Sequence, residues 1–144
     1  MRKLAIFLLL LTFSCIAQDK LLDSQFFDKI FSQNISQIKA FLEEKGCKDF
    51  SERQYGNTYE HYLECRLNNI NLMLTYNAKK SQVVELAIIP DKPVKNISDL
   101  LNLNGVKEYT IKTVKSKDNP DLISRINILP PDYDNRYTDM IEGN

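Results

Sequence analysis

Between residues 59 and 76 the chain alternates twice, and the two alternations agree. In Tyr59-Glu-His-Tyr-Leu-Glu-Cys-Arg-Leu67 the odd positions hold Tyr59, His61, Leu63, Cys65 and Leu67. The even positions hold Glu60, Tyr62, Glu64 and Arg66. A period of two belongs to a half-buried strand. Asn68-Asn69 follow, residue types that tolerate the left-handed backbone of a two-residue hairpin turn. Then Ile70, Leu72, Leu74 and Tyr76 alternate with Asn71, Met73 and Thr75. A two-residue turn sets Leu67 opposite Ile70, Cys65 opposite Leu72, Leu63 opposite Leu74 and His61 opposite Tyr76. All four pairs share one face, and a slip of one residue would destroy that agreement. Positions 59, 62, 63, 67 and 70 also fit a helical period, but only the hairpin accounts for both halves and the turn between them.

A sheet with one oily face needs a cover, and residues 22–45 supply it. Apolar side chains at 22, 26, 27, 30, 31, 35, 38, 41 and 42 recur at spacings of three and four, the stripe of an amphipathic helix. Ser24 suits the N-cap, and Lys45 with Gly46 supplies the stop. Ser32-Gln33-Asn34 offers the backbone competing hydrogen bonds and so a break into two helices. Downstream, Gln82–Ile89 reads as a third strand with Val84, Leu86 and Ile88 inward. Residues 96–103 read as a short helix, and Tyr109, Ile111 and Thr113 as a fourth strand. Residues 122–129 read as a fifth strand, although Asn119-Pro120-Asp121 would also start a helix. Pro90 to Pro93 is a loop, and Pro130-Pro131 should end the last regular element.

The expected class is therefore α+β in two layers: an N-terminal helix, breakable near 32–34, on an antiparallel sheet of about five strands. The domain would span 18–131, followed by a loosely ordered tail, 132–144, anchored by Tyr133, Tyr137 and Met140. The order of helix before antiparallel strands resembles that of cystatin-like folds over residues 22–89. The resemblance lies in architecture, with no sequence motif behind it, and implies nothing about activity.

The first seventeen residues read as an address. Arg2 and Lys3 precede the uncharged run Leu4–Phe13, and Cys15 and Ala17 are small enough for cleavage after Ala17. As a helix that run would rise only ~15 Å, about half of a bilayer's hydrocarbon core. A secretory signal peptide and an exported, periplasmic or secreted protein are expected. Acylation at Cys15 is the rival. It would anchor the chain to a membrane, but of Thr12, Phe13 and Ser14 only Ser14 fits that signal well. Losing Arg2 and Lys3 takes the balance from 19 cations against 19 anions to 17 against 19. Such a chain has no compositional case for nucleic acid, and its four glycines form no phosphate loop.

Cys47 and Cys65 remain, and two cysteines in an exported chain read first as a disulfide, here joining a helix end to the sheet. His61 has Cys65, Cys47, Glu60 and Glu64 nearby in sequence. On a strand, however, His61 and Cys65 lie about 13 Å apart, too far to share a Zn²⁺ with ligands at ~2.0–2.3 Å. No metal and no cofactor are expected. Tyr55, Tyr62 and Met73 are the candidates for partner binding: Tyr62 and Met73 fall on the polar face of the hairpin and Tyr55 in a loop, whereas Tyr59 and Tyr76 point inward by parity. Asn34-Ile-Ser36 and Asn96-Ile-Ser98 match the N-glycosylation pattern, which matters only in a eukaryotic host.

The function expected from these features is that of a small non-catalytic interaction module, of the periplasmic inhibitor or immunity type. Its partner would be a protein or an envelope surface. One alternative is an envelope hydrolase using His61 with nearby carboxylates; another is a carrier of small apolar ligands.

Overall fold

A computed structural model describes residues 21–144. The expected signal peptide, its cleavage point and Cys15 lie outside them. The described chain runs α1 (Ser24–Ser32), α2 (Ile35–Glu44), β1 (Lys48–Gln54), β2 (Glu60–Leu67), β3 (Ile70–Asn77) and β4 (Gln82–Pro90). A 3₁₀ turn (Ile97–Asp99), β5 (Thr110–Lys115), β6 (Ile123–Leu129) and α3 (Tyr133–Glu142) complete it. The strands form one antiparallel sheet in the order β1-β2-β3-β4-β6-β5. The fold is α+β, with helices packed on an antiparallel sheet, and it has six strands rather than five.

The hairpin stands in the register expected: Leu67 faces Ile70, Cys65 faces Leu72, Leu63 faces Leu74 and His61 faces Tyr76. Asn68 supplies the left-handed residue of the turn, at φ 52°. The N-terminal helix is broken where its polar stretch suggested. Asn34 caps α2 by accepting from the Gln37 amide at 3.0 Å, while the Gln37 side chain accepts from the Asn34 amide at 3.2 Å. This reciprocal box satisfies two donors that a continuous helix would have used otherwise. Asp23, not Ser24, caps α1, its Oδ1 accepting from Phe26 N at 2.9 Å. At the far end of α2, Gly46 adopts φ 95°. Cys47 N–H then returns to Leu42 O and Gly46 N–H to Glu43 O. That double closure is the Schellman stop, and it turns Cys47 inward.

The inner face of the sheet carries Leu63, Leu72, Leu74, Leu86, Ile88, Ile126 and Ile128, all without solvent exposure. Phe27 and Ile30 of α1 and Ile38 and Leu42 of α2 cover it, equally buried. In β4 an irregularity opposite Thr75/Tyr76 sets Val83 against Tyr76. Val83 thereby joins the inner cluster in the place expected for Val84.

One strand is added and two further expectations are corrected. Lys48–Gln54, which has no apolar alternation, is an edge strand. Exposed on both faces except at Phe50, it has no burial pattern to write into its sequence. The short helix expected over 96–103 is a single 3₁₀ turn, after which Leu101 and Val106 plug the core's margin. The supposed loose tail forms α3. Tyr133, Tyr137 and Met140 are spaced at four and three, and Gly143 closes the helix at φ 73°. Residues 122–129, open to either reading, are strand. No helix among the described residues is long and apolar enough to cross a membrane.

Candidate functional site

His61 and the carboxylates offered as its partners lie on opposite faces of β2. His61 shares the inner side with Tyr76, their ring centroids 5.6 Å apart. Glu60 and Glu64 point outward, where Glu60 accepts from the Tyr62 hydroxyl and Glu64 pairs with Arg53. Neither Glu60 nor Glu64 shares a face with His61, because alternate strand residues face apart. No group of three or more His, Cys, Asp or Glu side chains among the described residues is placed to hold a metal ion. The carrier reading meets a helix–sheet interface already filled by side chains of zero exposure.

Cys47 and Cys65 do come together. Both are buried thiols, one following the α2 stop and one on the inner face of β2. They share a hydrogen bond that holds the Cys65 thiol, as donor, above the ordinary range, with burial adding to the rise. The same bond draws Cys47, as acceptor, downward against its own burial.

The outer face is where the partner-binding candidates lie. Tyr62 sits between Arg53 and Thr75, with Glu85 next in the row. Met73 lies between Glu64 and Ala87, diagonal to Tyr62. Both are half-buried, whereas Tyr55, in the β1–β2 loop, is 64% exposed. Burial, the hydrogen bond to Glu60 and the charge of Glu60 push the Tyr62 hydroxyl up to about 12. Beside Met73 a shallow groove of about 200 Å³ is lined by Ser51, Glu64, Arg66, Asn71, Met73 and Ile89. Arg66 is held across it by Asn71 and Asp91.

Sequence reading missed the other half of this surface, which α3 supplies. The helix packs against β3 and β4 and buries Met140, while Val84, Ala87 and Leu129 are buried outside the inner cluster. Arg136 anchors it. Its Nη1 donates to Phe31 O at 3.0 Å and Val83 O at 2.8 Å, its Nε donates to Asp132, and its guanidinium lies over the Phe31 ring. At the other end Lys80 pairs with Asp139, and Lys79 Nζ donates to Gly143 O at 2.6 Å. With its inner side fixed, α3 leaves Tyr137 and Ile141 exposed, with Tyr133 half-buried four residues before Tyr137. Tyr133 stacks on Tyr137 at 5.8 Å, and Tyr137 and Ile141 are 43% and 59% exposed. The charges of Glu60 and Glu85 contribute to the raised hydroxyls of both Tyr62 and Tyr133. Burial is the largest cause in each case. The spacing 133, 137, 140 with Gly143 beyond was the available signal for this helix.

Comparison of the chain with family models, with curated proteins and with solved structures finds no significant match to any. The likeness to cystatin-like folds is thus one of element order alone.

Proposed function

We propose that this protein is a small exported, non-catalytic interaction module that engages a protein or envelope-surface partner through the outer face of its sheet and the outward stripe of α3. The observation carrying this reading is the set of aromatic and aliphatic side chains left exposed or half-buried: Tyr55, Tyr62 and Met73 in and beside the hairpin, and Tyr133, Tyr137 and Ile141 on α3. Tyrosines bring contact area with little rotamer entropy and a polar tip, which is why recognition surfaces are rich in them. An inhibitor or immunity-type protein asks for no more than such a patch on a firm scaffold; this narrower reading is by analogy.

Export rests on the basic start and short apolar run of residues 2–17. In an oxidising compartment the adjacent thiols of Cys47 and Cys65 would be joined, fastening the end of α2 to β2. Closing a loop of this size adds roughly 3 kcal/mol in the chain-entropy model. Mass spectrometry of exported protein under non-reducing conditions should show a mass two hydrogens short; two free thiols would end that part of the proposal.

The surface itself is tested by matched affinity capture from the producing cell's envelope. Wild-type chain should retain a partner that a Tyr62→Ala/Tyr137→Ala double variant loses and a Lys117→Ala control keeps. Equal retention by all three would displace the surface, and nothing retained above background would count against the interaction reading as a whole.

A further inference from the structure

The two edges of the sheet are built differently. At one edge, β1 is interrupted: its register with β2 shifts between Lys48 and Ser51, and Asp49 takes φ 57°. Two of its four charges are paired, Glu52 with Lys39 of α2 at 3.1 Å and Arg53 with Glu64 of β2. A kinked edge with paired charges is a poor template for another strand. At the other edge, β5 pairs with β6 residue for residue from Thr110 to Val114, shifting only before Lys115. Five of its six residues are exposed, including Val114 at 45%. On the outer side Lys112 follows Asn127 in its row, and on the inner side Lys115 follows Ile123. From Tyr109 to Lys117 the chain carries Lys112, Lys115 and Lys117 and no acid.

Lysines on an edge strand discourage indiscriminate pairing. They do so selectively. A second copy laid antiparallel about residue 112 or 113 would set Lys112 opposite or diagonal to its own counterpart, and like charges so placed are destabilising. A strand bearing carboxylates at those positions meets the opposite situation. Its backbone completes the ladder, and its acids face one lysine on each side of the sheet.

We propose that β5 is a docking edge for an extended acidic segment of another protein, which joins the sheet as a seventh, antiparallel strand with acidic residues three positions apart facing Lys112 and Lys115. This interface shares no residue with the tyrosine surface, so either can fail without the other.

The test uses the full chain, isotope-labelled, and a capped hexapeptide of valine and threonine carrying two glutamates three places apart. A peptide with lysines replacing the glutamates serves as comparison. The acidic peptide should shift the amide resonances of residues 110–115 and slow their hydrogen exchange, while those of 48–54 stay as they were. A Lys112→Glu/Lys115→Glu variant should lose about tenfold in affinity for the acidic peptide, the scale expected for two opposite-charge pairs made repulsive. It should also gain the lysine peptide, which wild-type chain ignores. Wild-type chain binding both peptides alike would overturn the proposal, as would shifts centred on β1 or the tyrosine surface. Failure of the acidic peptide to bind at millimolar concentration would do the same, as would protection of β5 by self-association at rising protein concentration.

Discussion

On the inner face of the sheet, α1 and α2 set Phe27, Ile30, Ile38 and Leu42 against seven aliphatic strand residues, and all eleven are sealed from water. On the outer face, α3 buries Met140 and holds on at its ends: the Arg136 guanidinium at the start, Lys79 and Lys80 at the finish. The first closure is area, which is non-directional and hard to undo in part. The second consists of few contacts, several charge-assisted and near water, where each contributes little. The contrast teaches where this molecule should give way. The inner layer fails all at once, while the outer helix can leave by itself.

The largest expected effect is therefore inside. Leu74→Ala, in the middle of β3 at zero exposure, should cost about 3 kcal/mol or more in denaturant unfolding, since the cavity adds to the lost burial. Met140→Ala, under α3, should fall nearer ~2 kcal/mol, at the low end for such truncations because a helix that can shift closes part of the void. Equal global costs for the two would break the comparison.

Arg136→Met keeps an unbranched apolar stem and removes the guanidinium, with its donors to Phe31 O and Val83 O and its place over the Phe31 ring. Leaving acceptors unpaired costs about 1–3 kcal/mol. The loss should show as faster amide exchange in 133–142 while the amides of β2 and β3 keep their protection. Gly143→Ala sharpens the same point. A Cβ there would stand 2.7 Å from Tyr59 Cε2 on a backbone at φ 73°, and a left-handed alanine costs about 1–2 kcal/mol before any clash. Loosening of the end of α3 alone would agree with a separable helix. Asn34→Ala, which opens the capping box between α1 and α2, should cost ~1 kcal/mol and act on global unfolding, because α2 belongs to the inner layer.

The smallest effect is one of pH. With its folded-state pKa at about 12, Tyr62 binds its proton more tightly when folded than the ordinary tyrosine pKa of about 10 would allow. Its stabilising contribution is thus whole below pH ~10 and is lost as pH rises toward 12. Tyr62→Phe should flatten that part of the stability profile. An unchanged slope would show that the hydroxyl's surroundings contribute nothing to folding.

The inner layer was legible in the sequence because burial writes a period. The alternation through Leu63, Leu72 and Leu74 and the stripe from Leu22 to Leu42 gave the hairpin register and the helical cover. Even the helix break followed from the hydrogen-bonding habits of Ser32-Gln33-Asn34. The outer layer was harder to read. β1 exposes both sides except at Phe50, so no period marks it. α3 was overlooked because its one deep anchor, Met140, sits among Asp, Asn, Arg and Thr. Long-range partners such as Phe31 O and Val83 O for Arg136 leave no local trace. Of the candidate surface, parity found Tyr62 and Met73, and loop composition found Tyr55. Tyr133 and Tyr137 required knowing that the chain returns to the sheet.

The place of α3 after every strand has a further consequence for biosynthesis. Every strand and both inner helices precede residue 130, so a chain emerging from its N-terminus can close the inner layer before the stretch that forms α3 arrives. Until that stretch emerges, Val84, Ala87 and Leu129 stay bare and two main-chain acceptors await Arg136. A product terminated before Tyr133 would fold and yet be sticky, a defect that quality control would notice before any binding assay did.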